Sequence, residues 1–331
     1  MSDLGKVLVI GSNSFSGASF CAYALDRGAQ VIGVSRSDEA SHVFLPYRWK
    51  DSGDFTFNRC DINTQLDELV ELVKREKVTR IVNFAAQSMV GQSWEIPEHW
   101  FQTNAVSTTK LFNALKNFDF LERYVHITTP EVYGSNDEFI TEDEPYNPST
   151  PYAVSRAAGD MSLASYAKAF GFPAVMTRAA NVFGPGQQLY RIIPKMILSI
   201  RTGQKLALHG GGVSRRSFIH IDDVSDATWK IMEDGKVGDV YHISTNEIVS
   251  IRELVIKICD LMGVVFEDHV NIEEERLGKD QAYLLSSEKI RNELGWLDKI
   301  SLDDGLLQSI KWVDDNLDLL SRMPSTYIHK P

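Results

Sequence analysis

Thr128-Thr129-Pro130-Glu131-Val132-Tyr133-Gly134 and Pro151-Tyr152-Ala153-Val154-Ser155-Arg156 carry, in two short segments, a hydroxyl, a carboxylate, a phenol and a guanidinium. Thr129, Glu131, Tyr152 and Arg156 together form a proton-handling set. Tyr152 and Arg156 are four residues apart, hence on one face of any helix that starts at 152. A cation so placed favours the phenolate, which lets the phenol accept a proton near neutral pH. An enzyme that transfers hydride needs such a base. The run Tyr124-Val125-His126-Ile127 just before the first segment reads as a buried strand, so Thr129 and Glu131 fall at its carboxyl end, where open α/β sheets bind their ligands. His126, inside that strand, reads as a hydrogen-bonded core residue.

The elements that must position these groups follow from apolar patterning. Short β-branched runs at 6–10, 31–34, 55–57, 80–84, 124–128 and 174–178 suit parallel strands buried on both faces. Segments 15–27, 65–75, 100–117 and 152–170 between them have helical spacing, which gives repeated βα units and a doubly wound parallel sheet with right-handed crossovers. Past residues 181–186 the pattern changes to helices at 192–202, 222–234, 251–262, 288–294 and 302–316 with short strands between, a smaller α-rich part.

Composition narrows the function classes. A chain of 331 residues, 43% hydrophobic and 24% charged, can bury a large core. The net charge of −11, with no run of Lys or Arg, argues against a nucleic-acid surface. Cys21, Cys60 and Cys259 show neither CxxC spacing nor clustered His, so neither a zinc site nor a disulfide framework is expected. No stretch approaches the roughly 18 apolar residues of a membrane span, and residues 1–5 lead directly into a strand without a signal-peptide pattern, so the expected location is cytoplasmic.

The first strand runs through Gly11-Ser12-Asn13-Ser14-Phe15-Ser16-Gly17 into a helix, a place where main-chain N–H groups and the helix dipole hold a pyrophosphate. Gly11, Ser14, Phe15, Ser16 and Gly17 are therefore candidate dinucleotide ligands, with Ser14 in the usual position of a middle glycine. Asp61 and Ile62 follow the third strand. Asp61 could hold an adenine amino group, or equally could cap the helix after it. Ser35-Arg36-Ser37 ends the second strand without the acid that binds the ribose 2′-OH of NAD, and an arginine between two serines suits a 2′-phosphate. The cofactor expected is NAD or NADP, with NADP favoured. Residues 1–180 then form a Rossmann-type dinucleotide-binding domain. Residues 181–331 form a mainly substrate-binding part, some segments of which return to the sheet.

With the loop, Asp61, Asn83-Phe84-Ala85-Ala86, the Thr129/Tyr152 pair and Asn181 in this order, the chain resembles the extended short-chain dehydrogenase/reductase family over nearly its whole length. Within it, residues 126–134, 104–109, 151–156, 216–223 and 290–296 are most similar to nucleotide-sugar 4,6-dehydratases of the dTDP-glucose type, and the 35–37 turn to those acting on GDP-mannose. The resemblance implies a cofactor that is not consumed. Hydride leaves sugar C4, the 4-keto group acidifies the C5 proton, water leaves across C5–C6, and hydride returns at C6. It implies that Tyr152 takes the C4 hydroxyl proton, that Thr129 hydrogen-bonds that oxygen and that Glu131 abstracts the C5 proton. Ala85, Ala86, Tyr152 and Arg156 would touch the cofactor, with Ser88 near the nicotinamide ribose or the sugar. Asn181, Arg191, Arg216 and Arg276 would bind the substrate, Arg216 and Arg191 through its diphosphate and Arg276 at its nucleotide, whereas Arg191, Arg215 and Lys195 read equally well as solvated surface. Trp94 and Trp100 fit a core or an interface. The partner implied is a nucleotide-diphosphate sugar, and the helices at 100–117 and 152–170 imply a homodimer through a four-helix bundle.

Two positions depart from the pattern. Pro130 stands where these dehydratases have the aspartic acid that protonates the leaving hydroxyl, and Arg156 stands where they have a lysine. Arginine keeps the charge that favours phenolate, but its guanidinium does not relay protons. C4 oxidation is retained on this reading. Elimination needs Glu131 to return the C5 proton to the departing hydroxyl, or another acid. A nucleotide-sugar epimerase or decarboxylase sharing the C4 oxidation is the alternative enzyme, and a non-catalytic nucleotide-sugar-binding protein the alternative outside catalysis.

Overall fold

The structure, a computed structural model, describes residues 5–50, 53–274 and 282–330. Strands β1 (Lys6–Ile10), β2 (Gln30–Ser35), β3 (Phe55–Arg59), β4 (Arg80–Asn83), β5 (Arg123–Ile127) and β6 (Ala174–Ala179) alternate with helices. These are α1 (Phe15–Asp26) after β1, α2 (Leu66–Glu76) after β3, α3 (Pro97–Phe101) and α4 (Thr108–Leu115) after β4, and α5 (Pro151–Phe170) after β5. Further on come β7 (Asn181–Phe183), α6 (Ile192–Arg201), β8 (Leu206–His209), β9 (Arg215–Arg216), β10 (Phe218–His220) and α7 (Ile221–Asp234). They are followed by β11 (Val240–Ile243), β12 (Val249–Ser250) and α8 (Ile251–Met262).

The main sheet is ordered β11-β6-β5-β4-β1-β2-β3, and every described pairing in it is parallel. The order reverses direction at β1, so β1 and β4 flank the switch point whose carboxyl-end crevice binds ligands in such sheets. Two apolar layers cover its faces. Val7, Val9, Phe20 and Trp229 belong to one, with α1 and α7, and Leu8, Ile10, Leu69 and Phe112 to the other, with α2 and α4. Alternation along β1 sends successive residues to opposite layers, which is why the strand reads as a continuous apolar run. A third cluster, with Ile197, Leu254, Ile258 and Leu306, holds α6 and α8 together beyond the sheet. The late strand β11 pairs with β6, carrying the main sheet into the second half of the chain.

The segment expected as a single helix at 100–117 is broken in character. Between α3 and α4 the residues Gln102–Ser107 form a π-helical stretch. Such a widened turn turns Asn104 toward α5 and the β4 end, where its side chain bonds Gln87 N, Gln87 O and Ser155 Oγ at 2.9, 2.9 and 3.0 Å. The contact is close enough that a Cβ on Gly159 of α5 would lie 2.4 Å from the Asn104 carbonyl oxygen. No helix among the described residues is long and apolar enough to cross a membrane.

Candidate active site

At the end of β1, Gly11 has φ +86°, and a Cβ there would come within 2.8 Å of Ala85 N. Gly17 is tighter, because its Cβ would fall 2.2 Å from Gly11 O. Between them Ser14 caps α1, donating to Gly11 O at 2.7 Å and accepting from Gly17 N at 3.1 Å. Its hydroxyl thus serves the loop itself. The main-chain N–H groups of Phe15 and Ser16, in the first turn, meet no chain acceptor among the described residues, so the loop fits a pyrophosphate. The Phe15 side chain points the other way, into the core.

A cleft of about 810 Å³, counted to its solvent-open mouth, lies against this loop. Gly11, Asn13 and Ser14 line it from β1, Ser35, Arg36 and Ser37 from β2, Asp61 and Ile62 from β3, and Ala85, Ala86 and Gln87 from β4. Phe15, Ser16, Gly17, Ser88, Tyr152 and Arg156 are not among its lining residues. Of the two roles open to Asp61, capping the following helix is not the one adopted. Its Oδ1 accepts from Asn63 N at 2.8 Å in a local turn, and α2 starts later, at Leu66. Asn13, Asn63, Gln87, Thr103 and Lys330 also line the cleft and were not singled out from sequence.

The proton-handling residues sit at the β5 end. Thr129, in extended conformation, caps the short 3₁₀ helix Pro130–Tyr133, its hydroxyl accepting from Glu131 N at 3.3 Å. Pro130 occupies the first position of that helix, where a fixed φ helps and no N–H is needed. Gly134, at φ +74°, closes the turn against Asn147 O, which a Cβ would approach to 2.5 Å. Across from this turn, Thr150 caps α5 by accepting from Ala153 N at 3.1 Å, and Pro151 follows, so the helix begins where Tyr152 can face the sheet.

Thr129, Glu131, Tyr152 and Arg156 come together here. Burial raises the Tyr152 phenol above its ordinary value; Arg156 and the Thr129 hydroxyl pull it down, Glu131 pushes it up, and Arg191 adds a further downward pull. The expectation that the cation would poise this phenol near neutral pH therefore fails, because desolvation outweighs it. Arg156 is also turned away from solvent: it is buried, and its guanidinium donates to the Ile127 carbonyl.

Beneath the turn lies a buried polar network that sequence reasoning missed. Asp160 Oδ2 accepts from Thr128 Oγ1 at 2.8 Å and from Arg178 at 3.0 Å. Arg178 also donates to the hydroxyls of Tyr133 and, at 2.6 Å, Tyr146. Tyr133 lies 2.8 Å from His242 Nε2, and burial lowers His242 to about 3. A neutral His242 accepts the Tyr133 proton at Nε2 and donates from Nδ1 to Ser286 O at 3.2 Å. Burial likewise lowers His126, aided by Arg156 and Arg178, so it is a neutral core residue. Contrary to expectation, neither of its ring nitrogens finds a hydrogen-bond partner among the described residues. Tyr152, Arg156 and Asp160 recur every four residues along α5, a spacing that could have revealed the buried acid.

The family described as GDP-mannose 4,6 dehydratase matches residues 8–308. The chain belongs to that family. A curated dTDP-glucose 4,6-dehydratase of Streptomyces niveus is 32% identical over 318 residues, covering 94% of this chain and 93% of that one. A trifunctional UDP-glucose 4,6-dehydratase/UDP-4-keto-6-deoxy-D-glucose 3,5-epimerase/UDP-4-keto-L-rhamnose-reductase of Arabidopsis thaliana is 32% identical over 319 residues, and there the chain spans about half of the relative, 47%. Among solved structures, dTDP-glucose 4,6-dehydratase of Streptomyces venezuelae with NAD bound superposes with a TM-score of 0.86 at 30% identity, covering 95% of this chain and 98% of that one. This is the Rossmann-type α/β fold of the nucleotide-sugar dehydratases.

The other residues that the family resemblance implicates are dispersed. Ser88 is exposed after β4, Asn181 is exposed at the start of β7, and Arg191 is exposed just before α6. Arg191 is nonetheless close enough to Tyr152 to act on its charge. Arg216 is buried in β9, its guanidinium 4.8 Å from the Tyr283 ring centre and donating to Arg215 O at 2.7 Å. Arg276 lies outside the described residues. Trp100 is fully buried, whereas Trp94 is exposed.

Proposed function

We propose that the protein is an NAD(P)-dependent nucleotide-sugar 4,6-dehydratase. The observation that carries this is the convergence of Thr129, Glu131 and Tyr152 at the carboxyl end of β5, in the same sheet whose β1–β4 ends line a dinucleotide-type cleft. The bound dinucleotide supplies a hydride acceptor that later gives the hydride back. The chain's own residues handle the protons. Tyr152, in its phenolate form, takes the proton of the sugar C4 hydroxyl, with Thr129 holding that oxygen, and Glu131 removes the proton at C5 once C4 is a ketone. Pro130 has no proton to give, so Glu131 returns the one it has taken to the departing C6 hydroxyl. Arg191 and Arg216 bind the diphosphate, with Asn181 and Ser88 at the sugar, which makes the part after residue 181 mainly a substrate-binding unit.

Ser35, Arg36 and Ser37 support NADP over NAD, since Arg36 lines the cleft at the β2 end and no carboxylate from β2 does. A homodimer is supported by an exposed apolar stripe on α5, where Val154 and Met161 stand two helical turns apart, and by exposed Phe101 and Val106 on the neighbouring helical segment. Three buried, free cysteines suit the reducing cytoplasm.

Mass spectrometry of dTDP-, UDP-, GDP- and CDP-sugars after incubation with enzyme and dinucleotide tests the reading. Loss of about 18 mass units, one water, from one sugar is the expected result, with Glu131 removing the C5 proton and then supplying it. Pro130 gives specific weight to one second reading, a C4 epimerase, which needs no acid for a leaving hydroxyl; a product of unchanged mass and inverted C4 configuration would replace the dehydratase with it.

A further inference from the structure

Residues 325–330 reach the dinucleotide cleft from the far end of the chain, where Lys330 becomes one of its lining residues. Side chains rather than secondary structure fix their path. Gln87, itself buried at the β4 end, donates from Nε2 to the Lys330 carbonyl at 2.8 Å. The His329 ring stacks on fully buried Trp100, centres 5.0 Å apart and planes at 11°, and on His99 at 5.2 Å, with ring nitrogens 2.9 Å apart. Tyr327 packs edge-on against Tyr190 at 5.4 Å, and its hydroxyl lies 3.3 Å from His329 Nδ1. The segment therefore binds to the β4 side of the cleft at one end and to the loop before α6 at the other.

Charge indicates what it meets there. Arg36 and Lys330 both line the cleft, against a single carboxylate, Asp61. Lys330 is exposed, and it pairs with no carboxylate among the described residues. Arg36 is near enough to the segment to act on Tyr327 and His329, although burial is the larger influence on each. Two cations beside a loop with spare main-chain N–H groups make a site for phosphate.

We propose that residues 325–330 form a strap that closes over the bound dinucleotide, and that the Lys330 ammonium is a ligand of one of its phosphates. This rests on the reading of the cleft as a dinucleotide site. It also gives that reading a consequence: a reaction that returns its hydride leaves the cofactor as it began, so slow cofactor release does not slow turnover, and a strap that must part for exchange costs no activity.

Binding of NAD and of NADP, without sugar, to the wild-type protein, Lys330→Ala and His329→Ala tests this by titration calorimetry and stopped-flow dissociation, with melting temperature as a fold control. Lys330→Ala is expected to weaken binding about tenfold, less so at high salt. His329→Ala, which removes the anchor and leaves Lys330 in place, is expected to speed release roughly fivefold. A Lys330 effect on NADP alone identifies the 2′-phosphate as its ligand, and an equal effect on both identifies the pyrophosphate; either supports the contact. Binding within twofold of wild type and unchanged release in both variants would overturn the proposal. A Lys330 effect with no His329 effect would overturn the strap and keep the contact. Failure of the wild-type protein to bind either dinucleotide would overturn the cleft reading and the strap together.

Discussion

Where β1 and β2 end, the cleft is shaped by main chain: two glycines that admit no Cβ, a capping serine and the first N–H groups of α1. Where β5 and β6 end, beyond the residues that line the cleft, the structure is held by side chains, with Thr128, Asp160, Arg178, Tyr133 and His242 joined in one hydrogen-bonded chain. Main-chain geometry suits an invariant ligand portion, the pyrophosphate, which needs donors at fixed positions and no proton exchange. Proton chemistry needs groups that change charge, and these must be held by neighbours that do not. Arg178 fills that supporting role, kept charged by Asp160 and the two tyrosines despite its burial. The contrast predicts that damage at the two ends will be of different kinds.

The largest effect falls on chemistry alone. Tyr152→Phe removes the acceptor of the C4 proton while keeping the ring that packs at the start of α5. Cofactor reduction in single turnover should fall about 10³-fold, with sugar and dinucleotide affinity within a few-fold of wild type. Comparable affinity losses would instead make Tyr152 a packing residue. Next is the support beneath it. Asp160→Ala leaves Arg178 buried without its carboxylate, and the protein should lose about 3–5 kcal/mol of stability in denaturant titration. Survival of most of that stability would mean that the tyrosine hydroxyls suffice for Arg178. At the other end Gly17→Ala sets a Cβ against Gly11 O and forces the loop open. A stability loss of about 1–3 kcal/mol is expected, with dinucleotide affinity falling at least as far. Affinity unchanged there would show that the loop is not the dinucleotide's anchor.

The same contrast separates what is legible in the amino-acid sequence from what is not. The glycine loop, the βα alternation and the Thr129/Tyr152 pair are local: each is a run of residues whose spacing alone fixes its geometry. The helices expected at 192–202, 251–262 and 288–294 appear within a residue of those bounds for the same reason. The π stretch at Gln102–Ser107 was not legible, because the tertiary bonds that hold it, from Asn104 to Gln87 and Ser155, reach 17 and 51 residues away. Nor was the partner set of Arg178, whose tyrosines come from 45 and 32 residues before it. The poise of Tyr152 was misjudged because charge can be counted along a helix, whereas burial depends on everything packed over it.

The smallest effect probes that misjudged balance. In Tyr152 the upward pushes are burial and the Glu131 carboxylate, and the downward pulls are Arg156, Thr129 and Arg191. Cofactor reduction, which depends on the phenolate or on its ability to accept a proton, should therefore gain rate as pH rises from neutral. Glu131→Gln removes one upward push and leaves the burial nearly the same, so the rising limb should move to lower pH, while the reaction stalls after C4 oxidation. Arg156→Met, which removes a downward pull, should move it the opposite way. Measured as rates of dinucleotide reduction across pH in the two variants, opposite displacements would show that the two charges act on one phenol. Displacement of both in the same direction would mean that the limb belongs to another group, and Tyr152 would lose its place as the base.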